Sequence, residues 1–267
     1  MVNQELRAAD AWEVLTKVAA RGSTITYTDI GAEIGVHRRA VRFPLAWIQE
    51  YLMEERKPPL TVLVVNAQTR APGAGFIASD DLEAALKDVY AHRWDTEMNP
   101  FGYARAGATR DDLVAWLLAG TKSAEELYAR VKVRGTAQAV LREALLEAYD
   151  HACAFCGLTL STALQCCHIV PWSRCGPAER MDIRNAVLLC ATDHALFDSD
   201  HLDLDHNLRI RYYDPALSDE PYSDADVRVS ELHGRRMTLP TEERWRPTLR
   251  HLTERRRLLG KRREAPQ

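Results

Sequence analysis

The chain has 267 residues, a hydrophobic fraction of 46%, a charged fraction of 27% and a formal net charge of −3 at pH 7. This length suits two domains with real cores, and the composition is that of a globular protein rather than a disordered or fibrous one. No apolar run approaches the roughly 20 residues of a membrane span, and the start, MVNQELRAADAW, lacks the apolar segment of a secretory signal, so a cytoplasmic protein with no membrane partner is expected. A net negative chain offers a polyanion no general attraction, so affinity for nucleic acid has to come from local basic patches.

Ala8, Ala11, Trp12, Leu15 and Val18 recur at helical spacing, and Gly22 ends that helix. After the short stretch STITYTD, Thr28 or Asp29 is placed to cap a second helix that Gly35 closes. A third helix is expected from about His37 through AVRFPLAWIQEYLMEE, with Pro44 near its start. The apolar run at 60–65, the turn QTRAPGAG and Phe76 read as a hairpin appended to these helices. Helix, short helix, turn, basic helix and hairpin make a winged helix-turn-helix-like domain over residues 1–92. His37, Arg38, Arg39 and Arg42 supply its basic face, either for DNA or simply for solvent.

A further helix, started by Asp80 or Asp81, is expected over 79–91. Pro100, Gly102 and Gly107 then interrupt the periodicity, which places the domain linker near 93–110 and a linker with supporting helices over 93–137. Helices at about 110–119 and 123–132 are followed by TAQAVLREALLEAYDH, which leads into Cys153 and the C-terminal domain, 138–267. Past it, HLDLDHNLRIRYY alternates like a hairpin with Asn207 in the turn. The last segment carries Arg246, Arg250, Arg255, Arg256, Arg257, Lys261, Arg262 and Arg263, which on a helix form a basic stripe for phosphates or a solvated face.

The chemistry is concentrated between Cys153 and Asp198. All six cysteines, Cys153, Cys156, Cys166, Cys167, Cys175 and Cys190, lie there with His168, Asn185 and His194. Three disulfides would suit a small secreted domain, whereas a reducing compartment favours metal thiolates. Cys153 and Cys156, with Gly157 after them, form the tight knuckle that lets two thiolates share one tetrahedral zinc. Cys190 is the third ligand, and Asp193 stands at the interval where a second pair would place a cysteine. The fourth ligand is therefore Asp193 or one of Cys166, Cys167 and Cys175; the alternative is reduced cysteines buried as small hydrophobes.

Two resemblances add to this reading. The segment VLTKVAARGSTITYTDIGAEIGVHRRAV, with its TYTDIG element and Arg39-Ala40-Val41, resembles the DNA-binding domain of the alkylguanine-DNA alkyltransferase family over roughly residues 12–76. That resemblance implies DNA contact, with Arg39 intruding into the base stack. It does not imply alkyl transfer, because the family's nucleophile is a cysteine in Pro-Cys-His-Arg and this chain has none before Cys153.

The runs CCHIVPWS, RNAVLLC and DHALFD, with His168, Asn185 and His194 in order, resemble the HNH nuclease family and its restriction-type branch over about 140–255. The implied fold is a ββα-metal unit: HIVPWS on one strand, NAVLLC on the next and TDHALFDSD opening the helix. The whole chain is then α+β, a reader joined by a helical linker to a cutter. The implied activity is metal-dependent hydrolysis of DNA phosphodiesters, in restriction or defence, with modified DNA as a target by analogy to the reader. His168 would be the general base, Asn185 would hold the imidazole or its loop, and His194 would ligate a divalent ion, Mg²⁺ or a transition metal such as Mn²⁺, Co²⁺ or Ni²⁺. The acidic residue or histidine that usually precedes the base is Cys167 here, so either Asp198 completes the coordination with Cys167 a bystander, or a softer ion is used. A possible homodimer would let one-ion sites cut both strands. The rival reading is a non-catalytic DNA-binding regulator or zinc-stabilised adaptor whose nuclease centre is degenerate at Cys167 and Asp193.

Overall fold

The structure, a computed structural model, describes residues 3–213 and 223–264, with side chains described as far as 260. It is α+β and divides into two compact units, Met1–Arg110 with Arg130–Thr136, and Asp111–Ala129 with Ala137–Gln267.

In the first unit α1 (Gln4–Ala20) starts at Asn3, whose side chain accepts from the Leu6 N–H at 2.9 Å. It buries Ala8, Ala11, Trp12, Leu15 and Val18 against α3 (Arg42–Glu54). Between them α2 (Tyr27–Glu33) is capped by Thr26, not by Thr28 or Asp29; the Thr26 hydroxyl accepts from the Asp29 N–H at 3.2 Å. The third helix begins at Arg42 rather than near His37, and Pro44 explains the delay. A proline ring clashes with the carbonyl four residues back, so it is tolerated only within the first turn. Arg38 and Arg39 consequently sit in the turns before α3.

The expected hairpin over 60–76 does not form. Leu60–Leu63 makes a single 3₁₀ turn, and β2 (Val64–Val65) pairs in parallel with β1 (Ile25–Thr26). The returning segment closes a turn, with the Asn66 N–H donating to the Ala71 carbonyl at 2.9 Å, but Pro72 has no N–H with which to extend a ladder. LTVLVV is buried throughout and joins the core instead.

After α4 (Leu82–Ala91), capped by Asp81, the stretch expected as a linker is part of this core. Trp94 and Phe101 are buried, and Trp12 meets Tyr51, Trp94 and Phe101 edge to face at centroid distances of 5.8, 5.8 and 6.5 Å. Periodicity is lost there because the chain runs through two 3₁₀ turns, Trp94–Thr96 and Gly102–Ala106, rather than because a domain ends.

Helices α5 (Arg110–Ala119), α6 (Ala124–Val131) and α7 (Arg134–Ala148) then lead to Cys153. In the second unit β3 (Leu164–His168) pairs antiparallel with β4 (Ala186–Cys190), setting Cys167 opposite Val187 and His168 opposite Ala186. Every residue of β4 is buried, as its unbroken apolar run predicts. The first strand is LQCCH rather than HIVPWS. Pro171 cannot donate to a ladder, and the chain turns away through Trp172–Arg174 into α8 (Pro177–Arg180). From β4 the chain enters α9 (Ala191–Asp198) and then the hairpin of β5 (Leu202–Leu204) and β6 (Ile210–Tyr212). Asp205 closes that hairpin by accepting the Asn207 and Arg209 N–H groups at 2.8 and 2.9 Å. Helices α10 (Asp224–Ser230) and α11 (Leu249–Glu264) complete the unit. No helix among the described residues is long and apolar enough to cross a membrane.

If residues 93–110 are core rather than tether, Phe101→Ala should destabilise the first unit by about 3–5 kcal/mol in urea unfolding, the usual loss for a buried aromatic. A loss below about 1 kcal/mol would restore the linker reading.

Candidate metal centre and active site

After α7 and Tyr149 the chain forms a knuckle built around Gly157, at φ +79°. Its N–H donates to the Cys153 carbonyl at 3.0 Å, and the Cys153 N–H donates to the Leu158 carbonyl at 2.9 Å. This turn, docked to β4 by the Ala154 N–H on the Leu188 carbonyl at 2.9 Å, presents Cys153 and Cys156 to the first turn of α9. There Cys190 is the N-cap residue and Asp193 the third helical residue. The ligand atoms of Cys153, Cys156, Cys190 and Asp193 lie within 4.8 Å of one another.

The donor set fits a closed tetrahedral site, three sulfurs and one oxygen. Asp193 is 3% exposed, and the contacts its carboxylate makes are with the cluster itself, Cys153 Sγ donating at 3.0 Å. A buried carboxylate among thiols is a costly arrangement unless a cation joins it. The Cys190 N–H points at Cys153 Sγ at 3.2 Å, and Cys156 Sγ lies 3.7 Å from Cys190 Sγ. A hydrogen bond from the Cys156 thiol draws the Cys153 pKa down to about 7, while the same bond pushes Cys156 up and burial pushes Cys190 up to about 11. Asp193 thus stands where the second pair would have a cysteine. The other three cysteines are elsewhere, and all six carry free thiols. Cys175 donates to the Val170 carbonyl at 3.2 Å, and Cys166 lies beside His168.

A second group draws on the same helix. His194 and Asp198 are four residues apart on α9 and share a face, 3.4 Å apart, and their ligand atoms lie with Cys167 Sγ within 4.8 Å. Consecutive helical residues point about 100° apart, which is how Asp193 serves one cluster and His194 the other. Strand alternation decides what β3 contributes. Gln165 and Cys167 face α9, and the Gln165 side-chain carbonyl accepts from His194 Nδ1 at 2.7 Å. Cys166 and His168 face the other way.

His168 is therefore outside this trio. Its Nε2 donates to the Arg180 carbonyl at 3.1 Å, its Nδ1 lies 3.9 Å from Cys166 Sγ, and its ring meets Trp172 edge to face at 5.5 Å. Asn185, fully buried, does not touch the imidazole. It accepts from the Val170 N–H at 3.0 Å and donates to the Glu179 carbonyl and Cys175 Sγ, both at 3.2 Å. It ties both ends of the loop whose Arg180 carbonyl orients His168. Gln165 was missed in the sequence, although its position two residues before Cys167 on a strand was the available signal.

The basic residues divide sharply. Arg38, Arg39 and Arg42 are exposed and line a cleft of about 490 Å³ in the first unit, with Tyr27, Phe43 and Phe76 around it. Arg255, expected on a phosphate-facing stripe, is 3% exposed instead. It pairs with Asp203 at 2.9 Å, caps the Phe197 carbonyl at 2.6 Å and lies 3.5 Å over the Phe197 ring. Its guanidinium holds α11 to α9 and β5. Arg256 is half-buried and donates to the Leu204 carbonyl at 3.0 Å, while Arg250 and Arg257 pair with Glu179 and Glu254. The side chains of Lys261, Arg262 and Arg263 lie outside the described residues.

Two measurements follow from these contacts. Thiols must lose protons to ligate, so metal affinity of the Cys153 cluster should climb by roughly tenfold or more per pH unit between about pH 6 and 8 in competition with a chelator; a flat profile would exclude thiolate ligation. Asn185→Ala should destabilise the second unit by about 1–3 kcal/mol, since it strands buried groups on both ends of the loop; unchanged stability would remove its tying role.

No curated protein matches the chain. Residues 153–204, which hold both clusters, His168 and Asn185, match the family model described as HNH endonuclease, so the C-terminal half carries a domain of the HNH family.

Proposed function

We propose that the protein is a metal-dependent DNA endonuclease of the HNH type, acting in the cytoplasm in restriction or defence on double-stranded, including modified, DNA. The observation that carries this reading is the match over 153–204 together with the convergence of Cys167, His194 and Asp198 on one side of the matched segment.

His168 is the general base. A backbone carbonyl only accepts, so the bond to Arg180 assigns the ring proton to Nε2 and makes Nδ1, on the side of Cys166, the basic nitrogen of the ring. Asn185 keeps the loop that carries Arg180 in place. Cys167, His194 and Asp198 would hold the ion, which when bound neutralises phosphodiester charge and stabilises the departing alkoxide. Cys153, Cys156, Cys190 and Asp193 would hold a structural Zn²⁺ that fixes the first turn of α9.

The first unit is the reader, and its helices keep the order of a helix-turn-helix, with the wing reduced to the segment around Gly73 and Phe76. Support comes from the cleft where Arg38, Arg39 and Arg42 surround apolar walls, a combination suited to phosphates outside and a base or its modification within. A homodimer would cut both strands with one ion per site.

Incubated with plasmid and each of Mg²⁺, Mn²⁺, Co²⁺ and Ni²⁺ in turn, the protein should nick DNA with at least one of these ions, and His168→Ala should slow that nicking by about 10²–10⁴-fold while leaving DNA retardation intact. Equal cleavage by the variant would overturn the assignment of the base. Retardation without cleavage under every ion would instead make the protein a DNA-binding adaptor. The same assay on unmodified, methylated, hydroxymethylated and phosphorothioated duplexes tests the modification, and equal rates on all four would remove it.

A further inference from the structure

We propose that the Cys167 thiolate ligates the ion of the trio together with His194 and Asp198, making a mixed sulfur, nitrogen and oxygen site that selects a thiophilic transition ion over Mg²⁺, with Gln165 as the positioning residue of His194. The proposal rests on the reading of this trio as the nuclease's metal position and specifies its chemistry.

Three observations carry it. Cys167 is fully buried on the face of β3 that meets α9, while the His194 side chain is 23% and the Asp198 side chain 64% exposed. The donors therefore grade from a buried sulfur floor to an open carboxylate rim, the arrangement a site needs if a phosphate is to reach its ion from outside. His194 is then fixed in one tautomer. The Gln165 carbonyl accepts at 2.7 Å, so Nδ1 carries the proton and Nε2, which faces Asp198 at 3.4 Å, keeps its lone pair for a metal. The donor chemistry finally chooses the ion. Mg²⁺ is hard, keeps most of its waters and takes oxygen donors, whereas a thiolate and an imidazole suit zinc, cobalt and their neighbours.

Gln165 and Cys167 lie on one strand face and His194 and Asp198 on one helix face, so the four side chains meet wherever β3 packs on α9. A bystander Cys167 would leave only a histidine and an exposed carboxylate, a weak pair for any ion.

The test is Co²⁺ binding to the whole 267-residue chain whose Cys153 cluster has first been filled with one equivalent of Zn²⁺, read by absorption and calorimetry without DNA. The wild type should bind a further Co²⁺ with a sulfur-to-cobalt charge-transfer band, and Mg²⁺ should not displace it at a hundredfold excess. Cys167→Asp should lose that band, retain the bound zinc, and bind Mg²⁺ where the wild type does not. Gln165→Leu should weaken Co²⁺ by about 10–100-fold with the band unchanged in shape, and Gln165→Glu, which can still accept from Nδ1, should restore affinity. If the band is absent in the wild type, or survives Cys167→Asp, the thiolate is not a ligand and the proposal falls. If Gln165→Leu binds as tightly as the wild type, Gln165 has no positioning role. These outcomes separate from the nuclease reading itself. Cleavage of plasmid with no charge-transfer band would leave the nuclease and remove the sulfur ligand, whereas the band without cleavage under any ion would do the reverse.

Discussion

One short helix contributes to both candidate metal clusters of the second unit, and its first turn is the constraint on which the rest depends. Cys190 caps α9 with its sulfur, accepting from the Asp193 N–H at 3.4 Å, and Asp193 turns back to Cys153 at 3.0 Å. The knuckle is anchored on β4 by Ala154, so the start of the helix is pinned to the strand before it and to the end of the helical lead-in. With that turn fixed, His194 and Asp198 have no freedom to choose another face. The hairpin β3–β4 supplies the opposing surface, and its register puts Cys167 rather than His168 toward α9. A shift of one residue would exchange those roles completely.

The same packing explains why Arg255 is structural. It reaches from α11 to the carbonyls of Ile169 and Phe197 and the carboxylate of Asp203, joining the loop after β3, the end of α9 and β5. A buried guanidinium with this many acceptors is satisfied, and removing any partner would leave a charge in the interior. The basic composition of α11 therefore serves cohesion at Arg255 and Arg256, and surface pairing at Arg250 and Arg257. In the first unit the exposed Arg38, Arg39 and Arg42 line a cleft together with Tyr27, Phe43 and Phe76.

Much of this was legible in the sequence, and the failures share a cause. The Cys-x-x-Cys knuckle, the Cys190 to Asp193 spacing and the His194 to Asp198 interval are local relations fixed by turn and helix geometry. The structure brings each group together. The helices at α1, α4, α5, α6 and α7 were likewise visible, because apolar spacing and caps are local. What could not be read was tertiary. LTVLVV looks like a hairpin strand until β1 is seen to claim it, and the Trp94 to Phe101 stretch looks like a tether until Trp12 is seen between them. Arg255 looks solvated because burial by β5 and α9 leaves no trace in its own neighbourhood of charges.

The account stands most directly on α9 serving two metal positions at once. Crystals grown with Zn²⁺ or Co²⁺ and measured on either side of the metal absorption edge would locate the ions without assuming their ligands. The account predicts two anomalous peaks per chain, one among Cys153, Cys156, Cys190 and Asp193 and a second among Cys167, His194 and Asp198. A single peak at the first position, with Cys167 and His194 left without metal at saturating ion, would contradict it.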